Sequence, residues 1–253
     1  RSESSFGCGE FSDLKLMADW AAKTGQRLIQ TLPVDDTSVM GTWRDSYPYS
    51  ANSVYALHPM YLNIEKVGKL KDKKRYNARK KSLNSGPFVD YEEVIKLKWE
   101  YIWELYHSEA KNTFATKDYI EFYERNRFWL DTYAVFCFLR DKFHTPDFCQ
   151  WGEDSVWNKK SIEQYCSPES PDYEKVPVHF FVQYHLHKQL HEAVDYAHSQ
   201  GVAIKGDIPI GVNAKSADVW EHPALFDCSG SAGAPPDYFS KTGQVWGFPI
   251  YNW

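Results

Sequence analysis

The residues best placed to do chemistry follow a short apolar segment near the C-terminal end of the chain. Val202, Ala203 and Ile204 lead into Gly206-Asp207, so a carboxylate follows a predicted β-strand. In an α/β barrel, carboxylates at the C-terminal ends of strands form part of the active-site wall. Such a group either holds substrate hydroxyls and supports a neighbouring charge, or caps its own loop. We predict the binding role for Asp207, and no role as a nucleophile.

Tyr49 is the second candidate, in the sequence Asp45-Ser46-Tyr47-Pro48-Tyr49. Pro48 fixes the backbone, so the ring that follows can be held rigidly at the edge of a site. A flat ring packs on the apolar face of a pyranose while polar neighbours hold the hydroxyl groups. The alternative is a turn tyrosine packed on the surface. Asp45 and Ser46 precede it as hydroxyl-binding or loop-fixing groups.

A long loop rich in Gly, Pro and aromatic residues, 232–249, supplies the third set of candidates. Loops of this kind are usually functional or disordered, and the aromatic content argues against disorder. Gly243 and Gly247 allow positive φ or close approach of a ligand. A purely structural loop would bury its rings, and we predict that role for Trp220 and Phe226. The predicted ligand contacts in the loop are Asp237, Gln244 and Trp246.

Two segments share the pattern that would position these residues. In the first, Leu14, Met17, Ala18 and Ala21 lie on one helical face, and Gly25 ends the helix. A helix, a glycine and a short β-branched run form the helix-to-strand step of a parallel α/β fold. The first unit continues into strand 28–32, and the second consists of a helix through 181–197, Gly201 and strand 202–208.

The residues between these two units are not strand-like. Helical spacing predicts helices in 91–106, where Leu97 or Lys98 occupies one apolar position, and in 119–143. Breaks are predicted at 84–87 and 144–155. We therefore predict a largely helical insertion between two consecutive strands.

Composition excludes several classes of partner. The net charge of -5 argues against nucleic acid and against an anionic membrane surface, and the basic run 66–81 is best interpreted as a solvated face. No 18-residue apolar stretch is present. Five irregularly spaced cysteines and no secretory signal predict a reducing, cytoplasmic setting. Aromatic residues make up 17% of the chain, enough for a dense core and for sugar-stacking rings.

The remaining groups of His, Asp and Glu residues give little indication of a metal site or a catalytic site. His187 and His191 have the spacing of a zinc pair but lack the glutamate of H-E-x-x-H, so we predict a polar helix face and no metal site. The side chains of Asp35 and Asp36 diverge because the residues are adjacent, and so do those of the pair Glu92-Glu93. We expect no organic cofactor.

Several motifs resemble the amylomaltase family (4-alpha-glucanotransferase, disproportionating enzyme). They are spread over nearly the whole chain, and the AGAPPD and GQVWG pair is the most specific. In order they are IQTLPV (29–34), DSYPYSANS (45–53), HPMYLNI (58–64), GDIPIGV (206–212), SADVW (216–220), AGAPPD (232–237) and GQVWGFP (243–249).

The resemblance implies an α/β fold that is a partial (β/α)8 TIM barrel with a largely helical insertion. The implied divisions are 1–64 (barrel segment with the first sugar-site loop), 65–178 (mainly helical insertion) and 179–253 (barrel helix, strand and aromatic sugar-site loop, truncated). Tyr49 matches the tyrosine of the family motif S-P-Y, which stacks on the sugar next to the cleaved bond. The family reads S-P-Y where this chain reads Ser46-Tyr47-Pro48-Tyr49, and the extra tyrosine is similar to the plant cytosolic type.

The implied activity is transfer of α-1,4-glucan segments between glucans or to glucose by a retaining mechanism. That mechanism needs a carboxylate nucleophile and an acid/base. The family's R-x-D-H and G-E-x-L-G segments for these groups do not occur in the sequence. We therefore expect no catalytic residue here, expect these carboxylates beyond Trp253, and expect the chain alone to be inactive. Arg1 in place of Met also suggests a processed or truncated start.

Two other functions remain open from the sequence. One is an α-glucan hydrolase of the wider amylase group, whose active site is built on the same kind of barrel but uses water as the acceptor. The other is a non-catalytic glucan-binding module. The expected partner in every case is an α-1,4-glucan or maltooligosaccharide, and the oligomeric state is open.

Overall fold

The structure is a computed structural model that describes all residues, Arg1–Trp253. Seven α-helices and six short strands alternate with 3-10 turns. The helices are α1 (Leu14–Lys23), α2 (Lys73–Ser85), α3 (Tyr91–Phe114), α4 (Lys117–Phe143), α5 (Lys159–Tyr165), α6 (Pro177–Ser199) and α7 (Ala217–Glu221). The strands are β1 (Leu28–Gln30), β2 (Ala203–Lys205), β3 (Phe226–Asp227), β4 (Gly233–Ala234), β5 (Gln244–Val245) and β6 (Ile250–Tyr251).

The two predicted strands are parallel neighbours, although they lie far apart in sequence. β1 pairs with β2 in the register Leu28↔Ala203 to Gln30↔Lys205. Each follows a helix that ends just before a glycine of positive φ, Gly25 at 77° and Gly201 at 69°. The predicted helix-to-strand step is therefore confirmed in both units.

Both strands are shorter than predicted, and only one face of the pair is covered. Beyond Gln30, the N–H of Thr31 still donates to the Lys205 carbonyl at 3.0 Å, but Pro33 has no N–H with which to continue the ladder. Ile29 and Ile204 pack on α1 and α6, whereas the alternate side chains face outwards. Leu28 is 51% exposed. Met17, predicted on the inner face of α1, is 45% exposed.

The helices predicted between β1 and β2 are present as α3 and α4, and the helices of this region begin at local signals. The side chains of Asp72, Asp90 and Thr116 accept hydrogen bonds from backbone N–H groups in the first turns of α2, α3 and α4. α4 ends at His144, whose φ of 54° is left-handed. The basic run contributes to α2, and Lys73 and Lys80 pair with Glu65.

The helical residues between β1 and β2 share their hydrophobic core with the rest of the chain. One cluster joins α4 residues to Ala56, from the loop after β1, and to Ala217 and Trp220 of α7. A second joins α3 and α6 to Phe6, Phe11, Leu62 and Ile64 near the N-terminus. As a result, α3, α4 and α6 form one packed helical layer. None of the helices combines the length and apolar composition needed to cross a bilayer.

The segment 226–251, here called the arm, is a double β-ladder. At the base of the arm β3 pairs with β6, and nearer its tip β4 pairs with β5. Both pairs are antiparallel. Gly243 (φ 77°) and Gly247 (φ 79°) take positive φ, as predicted for this loop. Trp220 is buried in the core, as predicted for a structural ring, whereas Phe226 is half-buried and packs on Tyr251 with ring centroids 5.4 Å apart.

Candidate functional site

Tyr49 and Asp207, the two leading candidates, are in direct contact. The Tyr49 hydroxyl donates to Asp207 Oδ2 at 2.9 Å. The other carboxylate oxygen, Oδ1, accepts the backbone N–H of Ile208 at 3.0 Å. The hydrogen bond to Asp207 raises the pKa of Tyr49, because a carboxylate favours the protonated phenol. Residues separated widely in sequence thus meet just beyond the C-terminal ends of β1 and β2.

The loops that carry this pair are joined by backbone hydrogen bonds. Ala51 and Val212 form a parallel β-bridge, and the N–H of Asn213 donates to the Ala51 carbonyl at 2.9 Å. The Asn213 side chain also donates to Ser50 Oγ at 3.0 Å. Because the loop after β1 is bonded to the loop after β2, the position of the Tyr49 ring is set relative to Asp207.

Aromatic rings extend from Tyr49 towards the arm. The Tyr47 ring lies 5.7 Å from the Tyr49 ring and stacks on the Phe248 ring with centroids 6.4 Å apart and planes at 10°. Phe248 packs over Gly211, where an added Cβ would come within 2.8 Å of its ring. We call Tyr49, Tyr47 and Phe248 the aromatic row. Tyr47, the extra tyrosine of this sequence, links the site tyrosine to the base of the arm.

Asp45 and Ser46 make local contacts. Asp45 is buried, and its Oδ2 accepts the backbone N–H groups of Val39, Met40 and Gly41 at 2.7–2.9 Å. Ser46 Oγ donates to the Trp43 carbonyl at 2.6 Å. The sequence left open whether these two residues bind sugar hydroxyls or fix their own loop, and these contacts favour the second role.

The three arm candidates lie apart from the Tyr49–Asp207 pair, with no hydrogen bond between the two groups. Asp237 is exposed and accepts the N–H groups of Phe239 and Ser240, which shapes the tip of the arm. The indole N–H of Trp246 donates to Gln244 Oε1 at 3.1 Å. Trp246 is half-buried, so one part of its ring remains open. Of the seven predicted residues, two are therefore in direct contact, two make local contacts in the loop before Tyr49, and three lie on the adjoining arm.

Two carboxyl groups on the segments that follow β1 and β2 were not anticipated as titrating residues. Burial raises the pKa of Asp35 to about 7, and the charge of Asp218 adds to that effect. Burial also raises the pKa of Asp218 to about 6, while its Oδ2 accepts the N–H of Val54 at 2.9 Å. Asp35 follows β1 as Asp207 follows β2, which is the signal that could have identified it. Asp36 points elsewhere, accepting the Tyr133 hydroxyl at 2.7 Å.

A buried polar network joins α4 to the loop after β1. Asp36 bonds Tyr133 of α4 through one oxygen and Ser38 through the other. The Ser38 carbonyl accepts from Arg140 of α4 at 2.7 Å and from Asn52 at 2.5 Å. α4 therefore supports the loop that carries Tyr49.

The histidine pair shows no arrangement for a metal. His187 packs on the Phe122 ring at 5.3 Å, and His191 pairs with Asp195 at 3.4 Å. No group of three or more His, Cys, Asp or Glu side chains is placed to hold an ion.

Chemically, the site offers an aromatic platform beside a carboxylate that is half-exposed. Such a pair can stack on a sugar ring and accept its hydroxyl hydrogens. Residues 1–253 match the model of glycosyl hydrolase family 77, described as 4-alpha-glucanotransferase. The chain belongs to this family.

Curated relatives agree with the family match. A 4-alpha-glucanotransferase from Oryza sativa subsp. japonica is 44% identical over 258 residues, covering 100% of this chain and 27% of the relative. One from Chlamydia caviae is 31% identical over 255 residues, covering 99% of this chain and 46% of the relative. The higher identity with the rice protein agrees with the predicted plant-type resemblance. The chain spans between a quarter and a half of the length of these relatives.

Solved structures support the same fold. The amylomaltase from Streptococcus agalactiae, solved in complex with acarbose, superposes with a TM-score of 0.82 at 27% identity, covering 98% of this chain and 50% of that one. The amylomaltase from Corynebacterium glutamicum has a TM-score of 0.76 at 20% identity, over 99% of this chain and 34% of that one. The second match supports the fold alone.

Proposed function

We propose that this chain contributes the glucan-binding side of a 4-alpha-glucanotransferase that moves α-1,4-glucan segments between glucans or to glucose. The observation that carries the proposal is the 2.9 Å contact between Tyr49 and Asp207 beyond two neighbouring parallel strands. Parallel barrels place their active sites at that end of the strands. The chain's family membership supplies the reaction class.

In this proposal Tyr49 stacks on a glucose unit and Asp207 accepts its hydroxyl hydrogens. The Tyr49 hydroxyl, held by Asp207, keeps the ring in one orientation before the sugar arrives. Such preorganisation lowers the entropy lost on binding. Asp237, Gln244 and Trp246 would contact the glucan from the arm. Asp45 and Ser46 would act chiefly by holding the loop that carries Tyr49.

The proposed architecture is a partial (β/α)8 TIM barrel. β1 and β2 would be consecutive barrel strands, with α1 and α6 on the outside, as their parallel pairing supports. We propose the divisions 1–64 for the first barrel segment, 65–178 for the helical insertion and 179–253 for the second segment with the arm. The insertion would stabilise the site loop through α4 rather than act as a separate module.

The proposed partner is an α-1,4-glucan or maltooligosaccharide. A structural relative was solved with acarbose, and the half-exposed Tyr49 and Asp207 offer this chain a comparable place for a sugar. No nucleic acid, metal or organic cofactor is part of the proposed reaction, and we propose a cytoplasmic setting from the cysteine usage.

Product analysis of the full-length protein tests the function. Transfer predicts that maltotriose gives glucose together with a ladder of longer maltooligosaccharides. Hydrolysis, the amylase-group alternative, predicts glucose and maltose without a ladder. A protein that binds maltotriose and releases no product would instead be a non-catalytic glucan-binding module. Either of the last two results would contradict the proposal.

Trp246→Ala tests the role of the arm in the same assay. If the ring stacks on glucan, kcat/KM for maltotriose should fall about fivefold, since stacking contributes on the order of 1 kcal/mol. Less shielding of the intermediate from water should also raise the ratio of hydrolysis to transfer.

Trp220→Ala is the matched contrast. Trp220 is 4% exposed and packs in the core, so its loss should cost about 3–5 kcal/mol of stability. Trp246→Ala should leave the melting temperature nearly unchanged. If Trp246→Ala lowers the melting temperature and leaves the product ratio as it was, Trp246 is a structural residue and the proposed arm contact is wrong.

A further inference from the structure

A cavity lies in the helical part of the chain and plays no part in the proposed function. Its volume is about 770 Å³, within the usual range for small-molecule sites. α3 and α4 form its sides, the loop 38–41 and the region 175–179 close it, and neither Tyr49 nor Asp207 lines it. The sequence motifs do not reach it, so its chemistry must be inferred from its lining.

The lining carries more cations than carboxylates. Arg140, Lys142 and Lys175 contribute positive charge, and Asp141 is the only carboxylate among the 14 lining residues. Asp141 is already bonded by Arg140 Nε at 2.8 Å. Because the whole chain has a net charge of -5, this local excess of positive charge opposes the sign of the rest of the molecule.

The three cations have different surroundings. Arg140 is 8% exposed and anchored to the Ser38 carbonyl, so its guanidinium is fixed. Lys142 and Lys175 stand at the exposed rim, with their ammonium groups 5.5 and 5.9 Å from the centroid of the same ring, Phe138. Lys142 has no ion-pair partner, whereas Lys175 pairs with Asp172 at 2.8 Å. An anion beside these groups would supply the counter-charge that Lys142 lacks.

Several hydrogen-bond donors of the lining have no partner within the chain. Arg140 Nη2 and the indole N–H groups of Trp99 and Trp103 make no hydrogen bond within the chain. They are not enclosed either, since the enclosed polar atoms without partners are Asn52 Oδ1 and His185 Nε2. These donors are therefore available to a ligand that is rich in acceptor oxygens.

Two tryptophans give the cavity an aromatic wall. Trp99 and Trp103 are four residues apart on α3, so they share one helix face, and both are half-buried. His179 packs against the Trp99 ring at 5.4 Å and fixes its plane. Rings of this kind accept the apolar face of a pyranose, which a site for a bare inorganic anion would not need.

We propose that this cavity binds a phosphorylated sugar, with the phosphate between Arg140, Lys142 and Lys175 and the sugar ring against Trp99 and Trp103. Arginine and lysine are the side chains that bind phosphate oxygens most strongly. The proposal goes beyond the proposed function, because transfer between neutral glucans requires no anion. It is also independent of that function, since neither Tyr49 nor Asp207 lines this cavity.

Calorimetric titration of the full-length protein with glucose 6-phosphate tests the proposal, with inorganic phosphate and maltose as parallel titrants. Glucose 6-phosphate should bind saturably and more tightly than either of the other two. In the double variant Lys142→Gln/Lys175→Gln its Kd should rise at least about tenfold, which corresponds to about 1.4 kcal/mol. Trp103→Leu should weaken glucose 6-phosphate and leave inorganic phosphate unchanged.

The matched control is Lys74→Gln/Lys81→Gln, which removes two exposed lysines of α2 without touching the cavity. Its Kd should equal that of the parent. The proposal is overturned if glucose 6-phosphate shows no saturable binding up to about 10 mM. It is also overturned if maltose or inorganic phosphate binds equally well, or if both double variants bind alike. Because the readout is binding, a failure of the transferase assay would not affect it.

Discussion

Replacing Lys98 with methionine should destabilise the protein by about 3–5 kcal/mol, the cost typical of removing one partner of a buried ion pair. The Lys98 side chain is 0% exposed and its ammonium bonds Glu10 at 2.7 Å, where the Glu10 side chain is 1% exposed. The same ammonium donates to the carbonyls of Met60 and Leu62 at 2.5 and 2.8 Å. Lys98→Met leaves a buried carboxylate without its counter-charge and two carbonyls without donors.

Urea denaturation followed by circular dichroism measures this effect. Lys96→Met is the matched control, because Lys96 lies two residues away on α3 in an exposed pair with Glu93 at 3.1 Å. An exposed pair contributes at most about 1 kcal/mol, so the control should remain close to the parent. A loss below about 1 kcal/mol for Lys98→Met would show that water reaches Glu10 and that the pair does not organise this part of the core.

Lys98 also shows where sequence reasoning reaches its limit. The helical spacing predicted that either Leu97 or Lys98 occupies an inner position of α3, without deciding between them. The structure buries both, at 4% and 0% exposure. A lysine is buried only when distant residues supply its partners, here Glu10, Met60 and Leu62. Those partners come from two other parts of the chain, and no periodicity within α3 could identify them.

Features set by neighbouring residues could be predicted. Gly25 and Gly201 end helices by taking positive φ, and the strands that follow start within three residues, so the helix-to-strand units were readable from local pattern. The contact between Tyr49 and Asp207 could be anticipated only as proximity, because both follow strands that end at one edge of a parallel sheet. The hydrogen bond itself depends on the joined loops.

Features set by long-range contacts could not be predicted. Burial raises the pKa of Asp35 to about 7, and the charge of Asp218, which lies far away in sequence, adds to that effect, so its position after a strand could mark Asp35 as a candidate but could not indicate the shift. The cationic cavity is lined by Arg140, Lys175 and Trp99, which come from three helical regions. The spacing of residues within each region does not indicate how the regions pack together. In the arm, Phe226 pairs with Tyr251 from the opposite end of the segment, a contact that local sequence pattern does not indicate.

The second large effect is expected at Asp207. In the full-length protein, Asp207→Asn should lower kcat/KM for maltotriose by about 10- to 100-fold, because a hydrogen bond to a charged group contributes about 1.5–3 kcal/mol. The asparagine keeps the size of the side chain and can still accept the Tyr49 hydroxyl hydrogen, so the loop geometry should be retained. Asp195→Asn, on the exposed surface of α6, is the control and should leave kcat/KM unchanged.

A double-mutant cycle with Tyr49→Phe separates the two ways in which Asp207 can act. If Asp207 only positions the Tyr49 ring, Asp207→Asn and Tyr49→Phe should each have a modest effect, and the double variant should be no worse than either. If the carboxylate binds the sugar itself, Asp207→Asn should be clearly more damaging than Tyr49→Phe, since the phenyl ring of the latter still stacks. We expect the second result, with melting temperatures within about 2 °C of the parent for all three variants. Asp207→Asn with unchanged kcat/KM, or with a loss matched by a fall in melting temperature, would show that Asp207 caps its own loop and that the glucan is held by other residues.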